Sequence, residues 1–226
     1  MDENLLRIED LVNNPSTRVP VCLCLDTSAS MGGERIEELR SGVKLFYDAI
    51  RDDEIALYSA EVCVVTFGGT AQCVVDFSSL ERQTKIPSLI PCGHTPMGEA
   101  VNIALDLLER RKQEYRDRGI EYYQPWLVLM TDGEPNGDPS ELERAIQRTA
   151  DAASQKKLTV FPIGIGSDAN MDKLRKFSVP ERRPLRLQGL KFREFFQWLS
   201  QSVSRTSQSM PGEKIAMEDI RGWAEL

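Results

Sequence analysis

The sequence lacks most of the patterns by which common functional classes are recognised. It has one histidine, no cysteine pair in CxxC spacing, and no P-loop or G-x-G-x-x-G fingerprint. No apolar run approaches the length of about 18 residues that a membrane-spanning helix needs. The formal net charge is −7, so the chain has no general attraction for phosphate backbones or anionic lipids. These absences argue against nucleic acid or a membrane as the main ligand.

The cysteines are odd in number, and most lie within or beside apolar runs: Cys22, Cys24, Cys63, Cys73 and Cys92. This pattern favours free, buried thiols in a reducing compartment over disulfides, zinc ligands or a redox pair. The N-terminal residues MDENLLRIED contain neither the basic start nor the apolar stretch of a secretory signal. We therefore expect a soluble cytoplasmic protein.

One cluster of basic residues departs from the acidic average: Arg110, Arg111, Lys112, Arg116 and Arg118. Acidic residues are interleaved with them: Glu109, Glu114 and Asp117. We interpret the segment as a solvated helix face of mixed charge, because interspersed charges of both signs are typical of exposed helices.

Short apolar segments of strand length alternate with longer segments of helical period. Val19–Leu25 is apolar throughout, which predicts a strand buried on both faces. Glu61–Phe67 and Ala71–Phe77 flank a Gly-Gly turn, so they are expected to pair as a hairpin. The predicted strands are 19–25, 61–67, 71–77, 125–131, 158–165 and 185–187.

The segments between these strands carry apolar residues three or four positions apart, as amphipathic helices do. The predicted helices are 35–50, 97–115, 139–153, 170–177 and 191–203. Strands alternating with helices predict an α/β fold: a doubly wound, mostly parallel central sheet with one antiparallel edge strand and helices on both faces.

We divide the chain into an N-terminal extension (1–17), one α/β domain (18–205) and a C-terminal tail (206–226). The Ser-rich segment Ser200–Ser209 is interpreted as a linker or an exposed helix end. Lys214–Leu226 has the spacing of a short helix, which either packs on the domain or docks to a partner.

Side chains with oxygen donors lie in three loops at the predicted sheet edge where α/β proteins bind ligands. Asp26, Ser28 and Ser30 occupy alternate positions after the first strand, Thr95 precedes the long helix, and Asp132 follows the fourth strand. Two carboxylates and three hydroxyls suit a hard cation such as Mg²⁺, which takes roughly six oxygens. One position would stay open for a carboxylate from a partner.

These residues also have ordinary structural explanations. Asp and Ser are common in turns because they bond their own backbone, and Thr95 could cap the long helix. The coincidence of three loops at one edge favours the metal site. A Ser-His-Asp triad through His94 is disfavoured because the sequence has no G-x-S-x-G elbow.

Four neighbouring residues are left outside the predicted ligand set. Met31 and Met97 flank the site, where they either pack in the core or offer an apolar rim to a partner. Glu134 and Asp138 lie just past Asp132 and are interpreted as solvated acids rather than as ligands of a second cation. His94 is interpreted as a loop residue near the rim.

The pattern of Asp26, Ser28 and Ser30 in D-x-S-x-S, then Thr95, then Asp132 in T-D-G, resembles the metal-ion-dependent adhesion site of von Willebrand factor A domains. The resemblance covers roughly residues 18–205, and no ligand position departs from the pattern. It implies a Rossmann-like fold and a Mg²⁺ ion (with Mn²⁺ or Ca²⁺ as alternatives) held by these five residues. It also implies a protein partner that supplies an Asp or Glu to the metal.

Three segments carry a narrower similarity: GHTPMGEA at 93–100, YYQPW at 122–126 and FFQWL at 195–199. They resemble the bacterial A-domain proteins linked to tellurium resistance. Members of that group are thought to act in the cytoplasm as metal-dependent adaptors, and some are encoded beside a protein kinase and a phosphatase. The similarity implies a role in a tellurium-resistance or stress-associated complex.

Two other functions compete with a metal-dependent adaptor. A Mg²⁺-dependent phosphohydrolase or phosphotransferase could clamp a phosphate through the metal, but this sequence offers hydroxyls where such enzymes place further carboxylates. A scaffold could dock through residues 210–226 without any metal. We predict a divalent-metal-dependent protein-binding module that is not an enzyme.

Overall fold

The computed structural model describes residue 11 and residues 13–83, 86–179, 183–210 and 224–225. Within these residues the chain forms one sheet of seven strands. The strands are β1 (Val19–Asp26), β2 (Ala60–Gly68), β3 (Thr70–Ser79), β4 (Trp126–Thr131), β5 (Thr159–Ile165), β6 (Leu185–Leu187) and β7 (Ala224–Glu225). Their spatial order is β3-β2-β1-β4-β5-β6-β7.

The five central strands are parallel, and β3 is antiparallel to β2. This arrangement confirms the predicted α/β fold with its antiparallel edge strand. The short strand β7 adds a second antiparallel pairing, to β6. The chain order reverses between β1 and β4, so the crevice beyond the carboxyl ends of these two strands is the switch point at which such sheets bind ligands.

The strand β1 is buried along its whole length because helices cover both faces of the sheet. Val21, Leu23 and Leu25 point into one hydrophobic core, and Cys22 and Cys24 point into the other. The continuous apolar run in the sequence is the signature of this double burial.

Six α-helices have both ends within the described part of the chain. They are α1 (Glu34–Arg51), α2 (Glu54–Ser59), α3 (Met97–Asp117), α4 (Pro139–Ser154), α5 (Met171–Arg175) and α6 (Phe192–Ser207). The helices α1 and α6 share the core of one face, whereas α3 and α4 share the other. Gly42 lets α1 approach α6 closely, because a Cβ there would lie 2.5 Å from Cδ2 of Phe196. The short helix α2 was not predicted.

The expectation of a linker or exposed helix end over Ser200–Ser209 is wrong for most of the segment. The helix α6 runs through it to Ser207, and Ser200, Ser202 and Thr206 are buried. Their hydroxyls donate 2.8 Å hydrogen bonds to backbone carbonyls three or four residues earlier. Because these bonds satisfy the hydroxyls, a Ser-rich stretch can face the core.

The basic cluster is not a uniformly solvated face. Arg111 and Lys112 are buried, and Arg111 donates through Nε to Glu61 at 2.6 Å. Glu61 also accepts from Arg18 Nε at 3.2 Å and from the Tyr115 hydroxyl at 2.5 Å. The pairing partner comes from β2, fifty residues away from Arg111, so local charge patterning does not reveal it.

All five cysteines are free, as predicted, but only Cys22, Cys24 and Cys63 are buried; Cys73 and Cys92 are exposed. The predicted helix over Lys214–Leu226 lies almost wholly outside the described residues, and the two that are described form β7 instead. Most of the extension 1–17 also lies outside. None of the described helices is both long and apolar enough to cross a membrane.

Candidate metal centre

The first site loop begins where β1 ends at Asp26 and turns into one 3₁₀ turn over Ala29–Met31. The backbone N–H of Ser28 donates to Oδ1 of Asp26 at 2.8 Å. This is the turn that Asp and Ser favour, so the turn explanation and the metal-site explanation are compatible. The turn brings the hydroxyls of Ser28 and Ser30 within 3.0 Å of each other.

The end of β4 joins this loop through side chains. The Ser30 hydroxyl donates to Oδ1 of Asp132 at 2.8 Å, and the Thr131 hydroxyl donates to Oδ2 of Asp26 at 2.6 Å. The alignment of β1 with β4, which pairs Leu25 with Met130, brings these groups to one edge. Four of the five predicted ligands are therefore connected in one hydrogen-bonded cluster.

Thr95 is the fifth predicted metal ligand, and its hydrogen bonds are formed by its backbone. Its N–H donates to Oδ1 of Asn136 at 2.5 Å, and its carbonyl accepts from Asn136 N at 3.1 Å. The segment before it is attached to the first loop, because Ala29 N donates to the Gly93 carbonyl at 3.0 Å. Thr95 does not cap α3, whose N-terminus has no side-chain cap. Its buried hydroxyl has no hydrogen bond to the other four residues.

The two carboxylates lie in different environments. Asp26 is fully buried, and loss of water raises its pKa to about 6. Hydrogen bonds from Ser28 and Thr131 oppose that rise, and the negative charge of Asp132 adds to it. Asp132 is also buried, but Nη1 of Arg35 donates to its Oδ2 at 2.5 Å.

The donor set fits a hard divalent cation. It consists of two carboxylates and three hydroxyls, and it contains no soft sulfur or imidazole ligand. The described residues include no group of three or more His, Cys, Asp and Glu side chains suited to a metal. A buried carboxylate with a raised pKa gains most from a nearby positive charge, so Asp26 is the residue that a bound cation would stabilise most.

Two contributors to the site were missed by sequence reasoning. Thr131, beside Asp132 in T-D-G, orients Asp26, and its position as the last residue of a predicted strand was the available signal. Arg35, in the first turn of α1, contacts Asp132 and lies 3.6 Å from Asp168. No spacing rule in the sequence indicates that Arg35 reaches a residue nearly a hundred positions away.

The residues that neighbour the predicted ligands have ordinary structural roles. Met31 and Met97 are buried in the two cores, so the apolar-rim interpretation is wrong for both. Asp138 caps α4 by accepting from Ser140 N at 2.8 Å, and Glu134 contacts Asn170. His94 is an exposed loop residue, as predicted.

Solved structures with the same fold include a von Willebrand factor type A protein from Catenulispora acidiphila, with a TM-score of 0.62 at 20% identity. That match covers 83% of this chain and 43% of the other. Proximal thread matrix protein 1 from the mussel byssus, solved with a zinc-occupied MIDAS motif, matches with a TM-score of 0.54 at 16% identity. It covers 84% of this chain and 48% of the other. Matches at this identity establish the fold alone.

The sequence relatives are also distant. An uncharacterized protein of Synechocystis sp. is 26% identical over 70% of this chain, and inter-alpha-trypsin inhibitor heavy chain H2 of Sus scrofa is 24% identical over 72%. The chain spans only 35% and 17% of the lengths of these two relatives. The family model of the von Willebrand factor type A domain matches residues 21–191. The chain therefore belongs to the von Willebrand factor type A domain family.

Proposed function

We propose that this chain is a divalent-metal-dependent protein-binding module. Mg²⁺ would be held by Asp26, Ser28, Ser30, Thr95 and Asp132, and an Asp or Glu of a partner protein would complete its ligand shell. The observation that carries the proposal is the hydrogen-bonded cluster that joins the Asp26 loop to Asp132 at the switch point of the sheet. The cation would supply a fixed positive charge with one open coordination position.

The balance of donors favours binding over hydrolysis. A phosphohydrolase needs a group that activates water, usually a carboxylate or an imidazole within hydrogen-bond reach. Here the Asp26 carboxylate accepts from Ser28 and Thr131, and Asp132 accepts from Ser30 and Arg35. Both carboxylates are thus engaged in holding the site together, and His94 lies exposed on the loop.

The narrower similarity to bacterial proteins linked to tellurium resistance extends this proposal to a cellular setting. We propose a cytoplasmic adaptor in a tellurium-resistance or stress-associated complex, with a protein kinase and a phosphatase as candidate partners. Mn²⁺ or Ca²⁺ could replace Mg²⁺, since both accept the same oxygen donors. This setting rests on likeness alone, whereas the metal site rests on the geometry above.

The first test is calorimetric titration of Mg²⁺ into metal-free protein, comparing wild type with Asp26→Asn. The isosteric substitution removes the charge while keeping an oxygen that can accept from Ser28. Asp151→Asn, an exposed residue of α4, is the matched control. Saturable one-to-one binding in wild type and control, with loss in Asp26→Asn, is expected. No binding by wild type would contradict the metal proposal.

A second test separates binding from catalysis. Purified candidate kinase and phosphatase partners are applied to immobilised wild type in Mg²⁺ and in EDTA, alongside Asp26→Asn. Retention that requires both Mg²⁺ and Asp26 is expected. Turnover of a generic phosphoester with Mg²⁺ or Mn²⁺, lost in Asp26→Asn, would instead support the enzyme alternative.

A further inference from the structure

A cavity of about 870 Å³ adjoins the metal-site residues. It lies between the start of α1 and the segments that follow β5 and β6, and Arg35 and Arg186 are the basic residues in its lining. Arg35 connects it to the proposed metal centre, because Arg35 lines the cavity and also contacts Oδ2 of Asp132 at 2.5 Å. A ligand at Asp132 therefore has this cavity as its immediate neighbour.

Arg186 is held in place by backbone oxygens rather than by a carboxylate. Its Nη1 donates to the carbonyls of Gly166 and Ser167 at 2.8 and 2.7 Å, and its Nη2 donates to the Ala169 carbonyl at 3.3 Å. Carbonyl dipoles orient a guanidinium but leave its net charge in place. Glu225 lies opposite Arg186 in the register of β6 and β7, and the hydrogen bonds of the Arg186 guanidinium to described residues all go to backbone carbonyls.

The shape of the cavity suits the approach of an extended segment. Its lining includes Gly32, Gly166 and Gly189, which present backbone without side chains. Gly189 has a φ of +64°, and a Cβ built there would meet nothing within 4 Å. A partner backbone can therefore approach the Arg186 guanidinium without a steric barrier from these positions, whereas Arg35 is already paired with Asp132 and lies 3.6 Å from Asp168.

We infer that this cavity is a second subsite that takes an Asp or Glu side chain of the same partner segment whose first carboxylate completes the metal shell. The inference rests on the proposed function and narrows the partner to one with two nearby acidic residues. A guanidinium with free N–H groups binds a carboxylate through paired, charge-assisted hydrogen bonds. Glu34 also lines the cavity, and its negative charge repels a dianionic phosphate more strongly than a carboxylate.

The test measures the fluorescence anisotropy of fluorescein-labelled Gly/Ser peptides in the presence of excess Mg²⁺. The peptides carry one Asp, or two Asp separated by one to four residues. For wild type we expect the best two-Asp peptide to bind about tenfold tighter than the one-Asp peptide. Arg186→Gln should abolish that gain. A peptide with phosphoserine as its second acid should not exceed the two-Asp peptide.

A pair of isosteric variants covers the case in which Arg186→Gln disturbs folding. Asn and Asp both tolerate the left-handed backbone of Gly189, so Gly189→Asp and Gly189→Asn differ only in charge. The Asp variant should lose the two-Asp gain relative to the Asn variant. Arg116→Gln is the distant control, since Arg116 lies at the far end of α3, about 30 Å along that helix from its start.

The outcomes separate this inference from the metal proposal. Three results would each overturn the second subsite. They are equal affinity of the one-Asp and two-Asp peptides, no binding by any two-Asp peptide, and a preference for phosphoserine. Calorimetric Mg²⁺ binding in the same samples reports separately whether the metal centre exists. A two-Asp gain that needs Arg186 but survives EDTA would uphold the cavity and overturn its link to the metal.

Discussion

The Ser30 hydroxyl donates a 2.8 Å hydrogen bond to Oδ1 of Asp132, although the two residues are 102 positions apart. Ser30 is exposed, whereas Asp132 is buried. The bond therefore spans the boundary between solvent and the interior at the carboxyl edge of the sheet. A cation at this point would be held by the buried carboxylate of Asp132. Because Ser30 is exposed, a partner could reach the cation from solvent.

Ser30→Ala should weaken Mg²⁺ binding by roughly tenfold or more, because one oxygen donor and the link to Asp132 are both lost. The unfolding free energy without metal should fall by only about 0.5–1.5 kcal/mol, the usual contribution of one hydrogen bond. Calorimetry and urea denaturation measure the two effects. Ser154→Ala, at the C-terminal end of α4, serves as the control. Unchanged Mg²⁺ affinity in Ser30→Ala would remove Ser30 from the ligand set.

Thr131→Val should lower both Mg²⁺ affinity and stability. The variant keeps the shape of the side chain but leaves Oδ2 of Asp26 without its 2.6 Å donor inside the protein. A buried acceptor without a partner costs about 1–3 kcal/mol, and loss of an orienting residue typically costs roughly 10–100-fold in metal affinity.

Thr149→Val is the matched control for this change. Its hydroxyl is buried without a hydrogen-bond partner among the described residues, so its removal should be neutral or stabilising. Equal destabilisation by the two variants would show that the Thr131 hydroxyl has no special role in holding Asp26.

Asp26→Asn should stabilise the metal-free protein at pH 7.5. The pKa of Asp26 is raised from 3.8 to about 6, so the folded state binds a proton more readily than the unfolded state. The stability that this proton provides is fully present below pH 3.8 and is lost as the pH rises through about 6. The loss amounts to about 3 kcal/mol, since one pKa unit corresponds to ~1.4 kcal/mol.

Urea denaturation in EDTA at pH 4 and pH 7.5 tests this dependence. The difference between wild type and Asp26→Asn should be small at pH 4 and largest at pH 7.5. Addition of Mg²⁺ at pH 7.5 should stabilise wild type alone, because the ligand binds the native state. A variant that is less stable than wild type at pH 7.5 would contradict the assigned burial of a charged Asp26.

Glu61→Gln should destabilise the protein by about 3–5 kcal/mol, because it leaves the buried guanidinium groups of Arg18 and Arg111 without their shared carboxylate. Mg²⁺ affinity should stay unchanged, since Glu61 lies near the start of β2, at the sheet edge opposite the proposed metal centre. Chemical denaturation and calorimetry provide the two readouts. Glu37→Gln, an exposed residue of α1, is the control.

The sequence predicted the sheet well because its strands are buried on both faces. The runs at β1 and β4 are continuous and apolar, and their ends fall within a residue or so of the observed bounds. Four of the five proposed ligands follow from a spacing pattern at those ends, and the fifth, Thr95, from its place just before the long helix. The roles of Arg35 and Arg111 could not be predicted, because each pairs with a carboxylate that is far away in the sequence. The helix α2 is too short, at six residues, for its period to be recognised.

The connection between Asp26 and Thr131 spans 105 positions, and β1 and β4 reach each other only when both lie in the sheet. The proposed recognition of a partner through these groups would therefore be unavailable to a nascent chain whose fourth strand has not yet emerged from the ribosome. A proteolytic fragment that ends before β4 would not bind the partner, for the same reason. In this molecule, the proposed site would form in one step, when β4 pairs with β1.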